Sequence, residues 1–160
     1  MGTIKRHFED KAIYFVTTVT NDRTNIFVSE KAVNLLLLTI EYFKITLDYK
    51  VYAYCLLPEH LHILIHPIGK YNLSYIMQMI KGDLARRFNR MNNIIGPVWQ
   101  KRFYDEGIRS ETMLLNKMEY IHNNPVKHKL VMDLNHYPHS SYHHYYKKNC
   151  SVLHIDKLEF

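Results

Sequence analysis

The sequence predicts an α+β fold of the ferredoxin-like (RRM-like), split β-α-β kind. In that plan two helices cover one face of an antiparallel sheet, and here a C-terminal helix carrying a tyrosine is added. Three observations predict it. Apolar residues alternate between a period of two and a period near 3.6, in the order β-α-β-β-α-β-α. The segments are separated by turn-forming groups: Asn21-Asp22-Arg23, Pro58-Glu59 and Gly96-Pro97. No internal repeat or long linker divides the 160 residues, so a single domain over 1–160 is expected, with its core at about 10–146.

Ala12 to Thr20 (AIYFVTTVT) is β-branched and aromatic throughout, which favours a strand. Ser29 offers an N-cap to a helix whose apolar stripe is Val33, Leu36, Leu37, Ile40, Phe43 and Leu47, at spacings of three and four. Lys50 to Leu57 and His60 to His66 read as the second and third strands, interrupted by Pro58-Glu59. Residues 72–91 form a second helix, with Leu73, Ile76, Ile80, Leu84, Phe88 and Met91 buried. Val98 to Arg109 predicts a strand with a break near Gly107. Ser110 then caps a third helix with a Leu114, Leu115, Met118 and Ile121 core side, which Pro125 is expected to end.

Composition narrows the function classes. The longest apolar run, Leu35–Leu38 with Ile40, falls far short of the roughly 20 residues that cross a bilayer. The N-terminus MGTIKRHFEDK has no apolar core of a secretory signal, and Cys55 and Cys150 stand in no metal or redox spacing, so a reduced, cytoplasmic protein is expected. Lys and Arg number 21 against 15 Asp and Glu, and 13% of residues are aromatic. Basic charge attracts phosphates and aromatic faces stack on unpaired bases, so the combination leans towards single-stranded nucleic acid. The absence of a carboxylate pair, nucleophile elbow or phosphate loop excludes a soluble hydrolase of those types.

Two segments carry chemistry. In PEHLHILIHP, alternate side chains of a strand share a face, so His60 and His62 point the same way and can converge on one metal ion. Leu61, Ile63 and Ile65 anchor the opposite face. In EYIHNNP, Tyr120 and Asn124 are neighbours on one helix face, turned away from the Leu114–Met118–Ile121 stripe. Only about one tyrosine in a thousand is ionised at neutral pH, yet a phenol attacks a phosphodiester where a metal withdraws charge from the phosphate. Lys81, Arg86, Arg87 and Arg90 of the second helix, with Lys101-Arg102 and Lys127-His128-Lys129, can track a phosphate backbone, and PHSSYHHYY can stack bases or pack on the sheet.

Taken in order, YFVTTVT, YAYCLLPEHLHILIHP, LSYIMQMIKG, GPVWQKRF, YIHNNPVKHKLV and YPHSSY resemble the single-tyrosine transposases of the IS200-like superfamily, and within it the REP-associated branch. The resemblance runs from about Ile13 to Tyr145. It implies an HUH endonuclease whose histidine pair, here His60 and His62, binds Mg²⁺ or Mn²⁺. It implies that the polar residue one turn beyond the tyrosine, Asn124, completes the ligands, with Asn123 and His122 as the other candidates, and that Tyr120 is the nucleophile. The implied reaction cleaves single-stranded DNA through a 5′-phosphotyrosine, leaves a free 3′-OH and rejoins new ends. The implied partner is single-stranded or hairpin DNA, with a homodimer as one possible assembly and no membrane. Glu59 stands where the family often has Asn. A non-catalytic single-stranded nucleic-acid-binding module on the same fold is the competing reading, and metal binding at His60 and His62 separates the two.

Overall fold

The computed structural model describes residues 12–147 and 151–159. Four strands, β1 (Tyr14–Val19), β2 (Tyr49–Leu56), β3 (His60–Pro67) and β4 (Tyr104–Gly107), form one sheet in the order β2-β3-β1-β4. Every neighbouring pair is antiparallel. Helices α1 (Glu30–Leu47) and α2 (Leu73–Asn92) cover one face, giving the expected split β-α-β arrangement. Helix α3 (Glu111–Lys127) and the short α4 (Tyr142–Tyr146) pack on the other face.

Strand alternation sorts the two layers. Tyr14 and Val16 of β1, Tyr54 and Leu56 of β2, and Leu61, Ile63 and Ile65 of β3 meet the buried stripes of α1 and α2. Phe15, Cys55 and Leu64 meet Leu114, Met118 and Ile121 of α3 instead. The caps form as the sequence indicates: the Ser29 hydroxyl accepts from the Ala32 amide and the Ser110 hydroxyl from the Met113 amide. The α2 stripe is buried from Leu73 to Leu84, while Met91 is exposed because the helix outruns the sheet beneath it. The core also reaches past residue 146, with Leu153 and Ile155 buried and Asp156 paired to Lys44 at 2.8 Å.

Leu115, expected on the core side of α3, is exposed, and two larger expectations are corrected as well. The predicted Val98–Arg109 strand is only Tyr104–Gly107. Trp99 bridges to Thr20, and Tyr104 next pairs with Thr17, so three steps along β1 face five along the incoming chain. The two surplus residues leave the ladder as an excursion over 100–103. Pro125 does not end α3, which continues to Lys127. The proline lies in the last turn and removes one amide donor there. The Asn124 side-chain amide donates to the Tyr120 carbonyl at 2.8 Å, and the following amides of His128 and Leu130 bond back to Asn124 and Pro125.

Candidate active site

A tight turn at Pro58-Glu59 starts the site, closed by the Leu57 amide donating to the His60 carbonyl at 2.8 Å. It is pinned from outside, since the Thr20 amide donates to the Glu59 carbonyl and the Phe27 amide to the Pro58 carbonyl, both at 2.9 Å. β3 then places His60 and His62 on the α3 side, both buried, with their Nε2 atoms 3.1 Å apart.

The outer ring nitrogens explain why the inner ones converge. His60 Nδ1 donates to Glu59 Oε1 at 2.8 Å, which leaves its Nε2 with a free lone pair. Glu59 is held in turn by Arg23 at 3.7 Å. His62 Nδ1 lies 2.7 Å from the hydroxyl of Thr17, its cross-strand partner on β1. With Thr17 as acceptor, His62 also keeps its proton on Nδ1, and two lone pairs face one point. Burial holds the His62 imidazole far below its usual range, down to about 3, with the neighbouring His60 adding to the effect. Burial lowers His60 as well, partly opposed by Glu59. Both rings are therefore neutral near pH 7, as metal ligation requires.

Asn124 comes from α3 and is wholly buried. Its side chain lies close enough to His62 to favour a proton on that ring, yet no hydrogen bond of good geometry reaches its Oδ1 among the described residues. An acceptor oxygen buried in this way costs about 1–3 kcal/mol unless something electropositive meets it. Two nitrogens 3.1 Å apart also match the span of two adjacent ligands each about 2.1 Å from one ion. No three His, Cys, Asp or Glu side chains are grouped to hold a metal among the described residues, and the polar atoms gathered here are two imidazole nitrogens and one amide oxygen.

Tyr120, one helical turn before Asn124, is 38% exposed. Its ring stands edge-on to His62 and to Phe15, at 5.6 and 5.8 Å between centroids, and Phe15 itself stacks on His62 at 5.4 Å. Lys127, two turns on, brings Nζ to 3.5 Å from the phenol oxygen. Lys117 lies over the Phe15 ring and is tied to Glu106 at 2.7 Å. The Tyr120 ring thus sits beside the converging imidazole nitrogens with lysines on both sides.

Other expected residues lie elsewhere. His122 bonds Ser141 Oγ at 2.7 Å, and with Asn123 it lines a cavity against Tyr142 and Tyr146, so neither joins the histidine pair. Arg86 and Arg87 both pair with Asp83, at 2.6 and 2.9 Å, and with Lys81 and Arg90 they belong to α2, across the sheet from the histidines. Lys101 and Arg102 sit in the exposed excursion that leads to Tyr104, whose ring is 6.3 Å from Phe15. Cys55 is fully buried and its thiol is pushed up by burial, as suits an inert core residue. Cys150 lies outside the described residues. Thr17 and Phe15 are the site residues that sequence reasoning missed, whereas Glu59 stands out there beside the histidines and Lys127 among the phosphate-tracking cations. Neither Thr17 nor Phe15 carries a local signal, since both reach the site across the sheet.

The chain resembles known proteins over most of its length. It is 29% identical over 156 residues to a Haemophilus influenzae protein proposed to be a REP-associated tyrosine transposase, covering 89% of this chain and 86% of that one. It is 31% identical over 96 residues to a REP-associated tyrosine transposase of Escherichia coli K12, covering 59% and 55%. Its fold superimposes on a solved REP-associated tyrosine transposase bound to a REP hairpin, with a TM-score of 0.79, 22% identity and coverage of 100% of this chain and 95% of that one. No helix among the described residues is long and apolar enough to cross a membrane. The profile of the family described as "Transposase IS200 like" matches residues 9–124, well over half the sequence, and the chain belongs to that family.

Proposed function

We propose that this transposase-family chain is a divalent-metal-dependent DNA strand transferase acting on single-stranded or hairpin-bearing DNA, with Tyr120 as nucleophile. The observation that carries the proposal is the convergence of His60 Nε2, His62 Nε2 and the unpartnered Asn124 Oδ1 beside Tyr120. These three side chains would hold the ion, and a mixed nitrogen and oxygen set suits Mn²⁺, with Mg²⁺ as the alternative. When bound, the ion supplies positive charge to the phosphate at the point of cleavage.

The chain's own residues account for the rest. Glu59 and Thr17 fix the two imidazoles so that Nε2 is the ligating atom of each. Tyr120 Oη attacks phosphorus in line, a P–Oη bond forms, and the P–O3′ bond breaks. The phenol proton leaves to water, the departing 3′ oxygen takes a proton from water, and the product is a 5′-phosphotyrosine with a free 3′-OH. One phosphoester replaces another, so a different 3′-OH can reverse the step and join new ends without a nucleotide cofactor. Lys127, with Nζ 3.5 Å from the phenol oxygen, places positive charge beside the attacking and departing oxygen. In the proposed centre all of these groups come from one chain.

The test is a covalent protein–DNA adduct on a denaturing gel, using labelled hairpin DNAs with single-stranded flanks. The adduct is expected with Mn²⁺ or Mg²⁺, and should vanish with chelator, in Tyr120→Phe and in His62→Ala. Salt-sensitive binding with no adduct under any metal would favour a non-catalytic binding module instead.

A further inference from the structure

A second concave feature lies around the sheet edge from the histidines. A cavity of about 360 Å³ opens between α2 and the segment 97–103. Its walls include the aromatic rings of Trp99 and Phe103, and Gly82 lies on its α2 side. Gln78, Gln100, Lys81 and Lys101 supply amides and cations, and no carboxylate is among the lining groups. Lys81 spans the opening, donating to the Gln100 carbonyl at 2.9 Å and lying 5.7 Å from the Phe103 ring centre.

We infer that this cavity is a subsite for one unpaired base of the DNA strand that Tyr120 cleaves, an inference that rests on the function proposed above. Flat aromatic walls suit a base's π-faces, side-chain amides suit its hydrogen-bonding edge, and a carboxylate-free, lysine-bearing rim suits the phosphates on either side. A paired base cannot enter a concave site of this kind, because its edge is taken by its partner. The excursion over 100–103 connects the two sites. A strand leaving the cavity passes exposed Lys101, Arg102 and Tyr104 before it reaches Phe15 and Tyr120.

Trp99 is the chain's sole tryptophan and lines this cavity, so its emission comes from one place in the fold. In the full chain carrying Tyr120→Phe, which blocks covalent chemistry, labelled hairpin DNA with single-stranded flanks is titrated while anisotropy and Trp99 emission are read together. A Cβ at Gly82 meets nothing within 4 Å, so the side chain of Gly82→Leu starts in open space at the cavity wall, and circular dichroism confirms that the variant folds. The subsite predicts quenching of Trp99 that follows anisotropy. It also predicts a loss of affinity of about tenfold or more in Gly82→Leu. An abasic substitution at one flank position should cause the same loss in the parent and no further loss in Gly82→Leu. DNA binding by anisotropy with Trp99 unquenched and Gly82→Leu unaffected overturns the subsite while leaving DNA binding intact. No anisotropy change with any DNA overturns the functional reading and the subsite with it.

Discussion

Replacing Thr17 by valine keeps the shape of the side chain and removes one hydroxyl, the group 2.7 Å from His62 Nδ1. In the parent, that hydroxyl can hold the His62 proton on Nδ1 and leave Nε2 free. Without it the buried Nδ1 loses its partner, and the proton can move to Nε2, where His60 Nε2 at 3.1 Å accepts it. The ring is then committed to a neighbouring histidine, and that hydrogen bond must break before an ion can bind. Loss of an orienting partner of this kind costs about tenfold to a hundredfold in metal affinity. The unpaired nitrogen costs about 1–2 kcal/mol of stability. The assay is calorimetric titration with Mn²⁺ alongside urea unfolding, with Thr17→Ser as the control that restores the hydroxyl. Serine should return affinity to within a few-fold of the parent. Unchanged Mn²⁺ affinity in Thr17→Val would refute the claim that Thr17 sets the His62 tautomer.

Other consequences are open to measurement. Lys127→Met removes a charge 3.5 Å from the Tyr120 oxygen, worth about 1 kcal/mol in water-like surroundings, and should slow adduct formation about fivefold, with Lys127→Arg close to the parent. A rate unchanged in Lys127→Met would remove the lysine from the mechanism. Burial holds His122 down at about 4, from an ordinary 6.5. The unfolded chain therefore takes up that proton below pH 6.5 and the folded chain only near 4, so stability falls between these values as pH drops, by roughly 1.4 kcal/mol per unit. Urea midpoints against pH should show a shallower acid slope in His122→Asn, and an identical slope would contradict the assignment. Leu36 has no exposed surface, and Leu36→Ala should cost about 2–5 kcal/mol by the same denaturation measurement.

The element order was legible because apolar spacing records which face of each element is buried. Val33, Leu36, Leu37 and Ile40 mark one helix face, and Leu61, Ile63 and Ile65 mark one strand face. The same alternation placed His60 and His62 together. What escaped depends on pairing between distant segments. Thr17 reaches His62 only because β1 and β3 take one register, and nothing local to either segment announces that partner. The excursion at 100–103 arises from a mismatch between two strands, which a single β-rich run cannot reveal. The Asp83 pairing of Arg86 and Arg87 did have a local signal, since the three lie three and four residues apart on one helix. Pro125 misled because proline's effect depends on its distance from the helix end, which the sequence leaves unmarked.

The division of labour along β3 bears on which insertions and deletions a lineage can accept. One extra residue in the Pro58-Glu59 turn, or one lost, would exchange the two faces of the strand, sending His60 and His62 towards α1 and α2 and Leu61 and Ile63 towards Tyr120. Stability and chemistry would be lost in the same event, so neither can drift by length change while the other is kept. The exposed stretch at 93–96, between α2 and the cavity wall, is under no such coupling. Length variation among functional descendants of this chain should therefore collect there and stay out of the turn that launches the histidines.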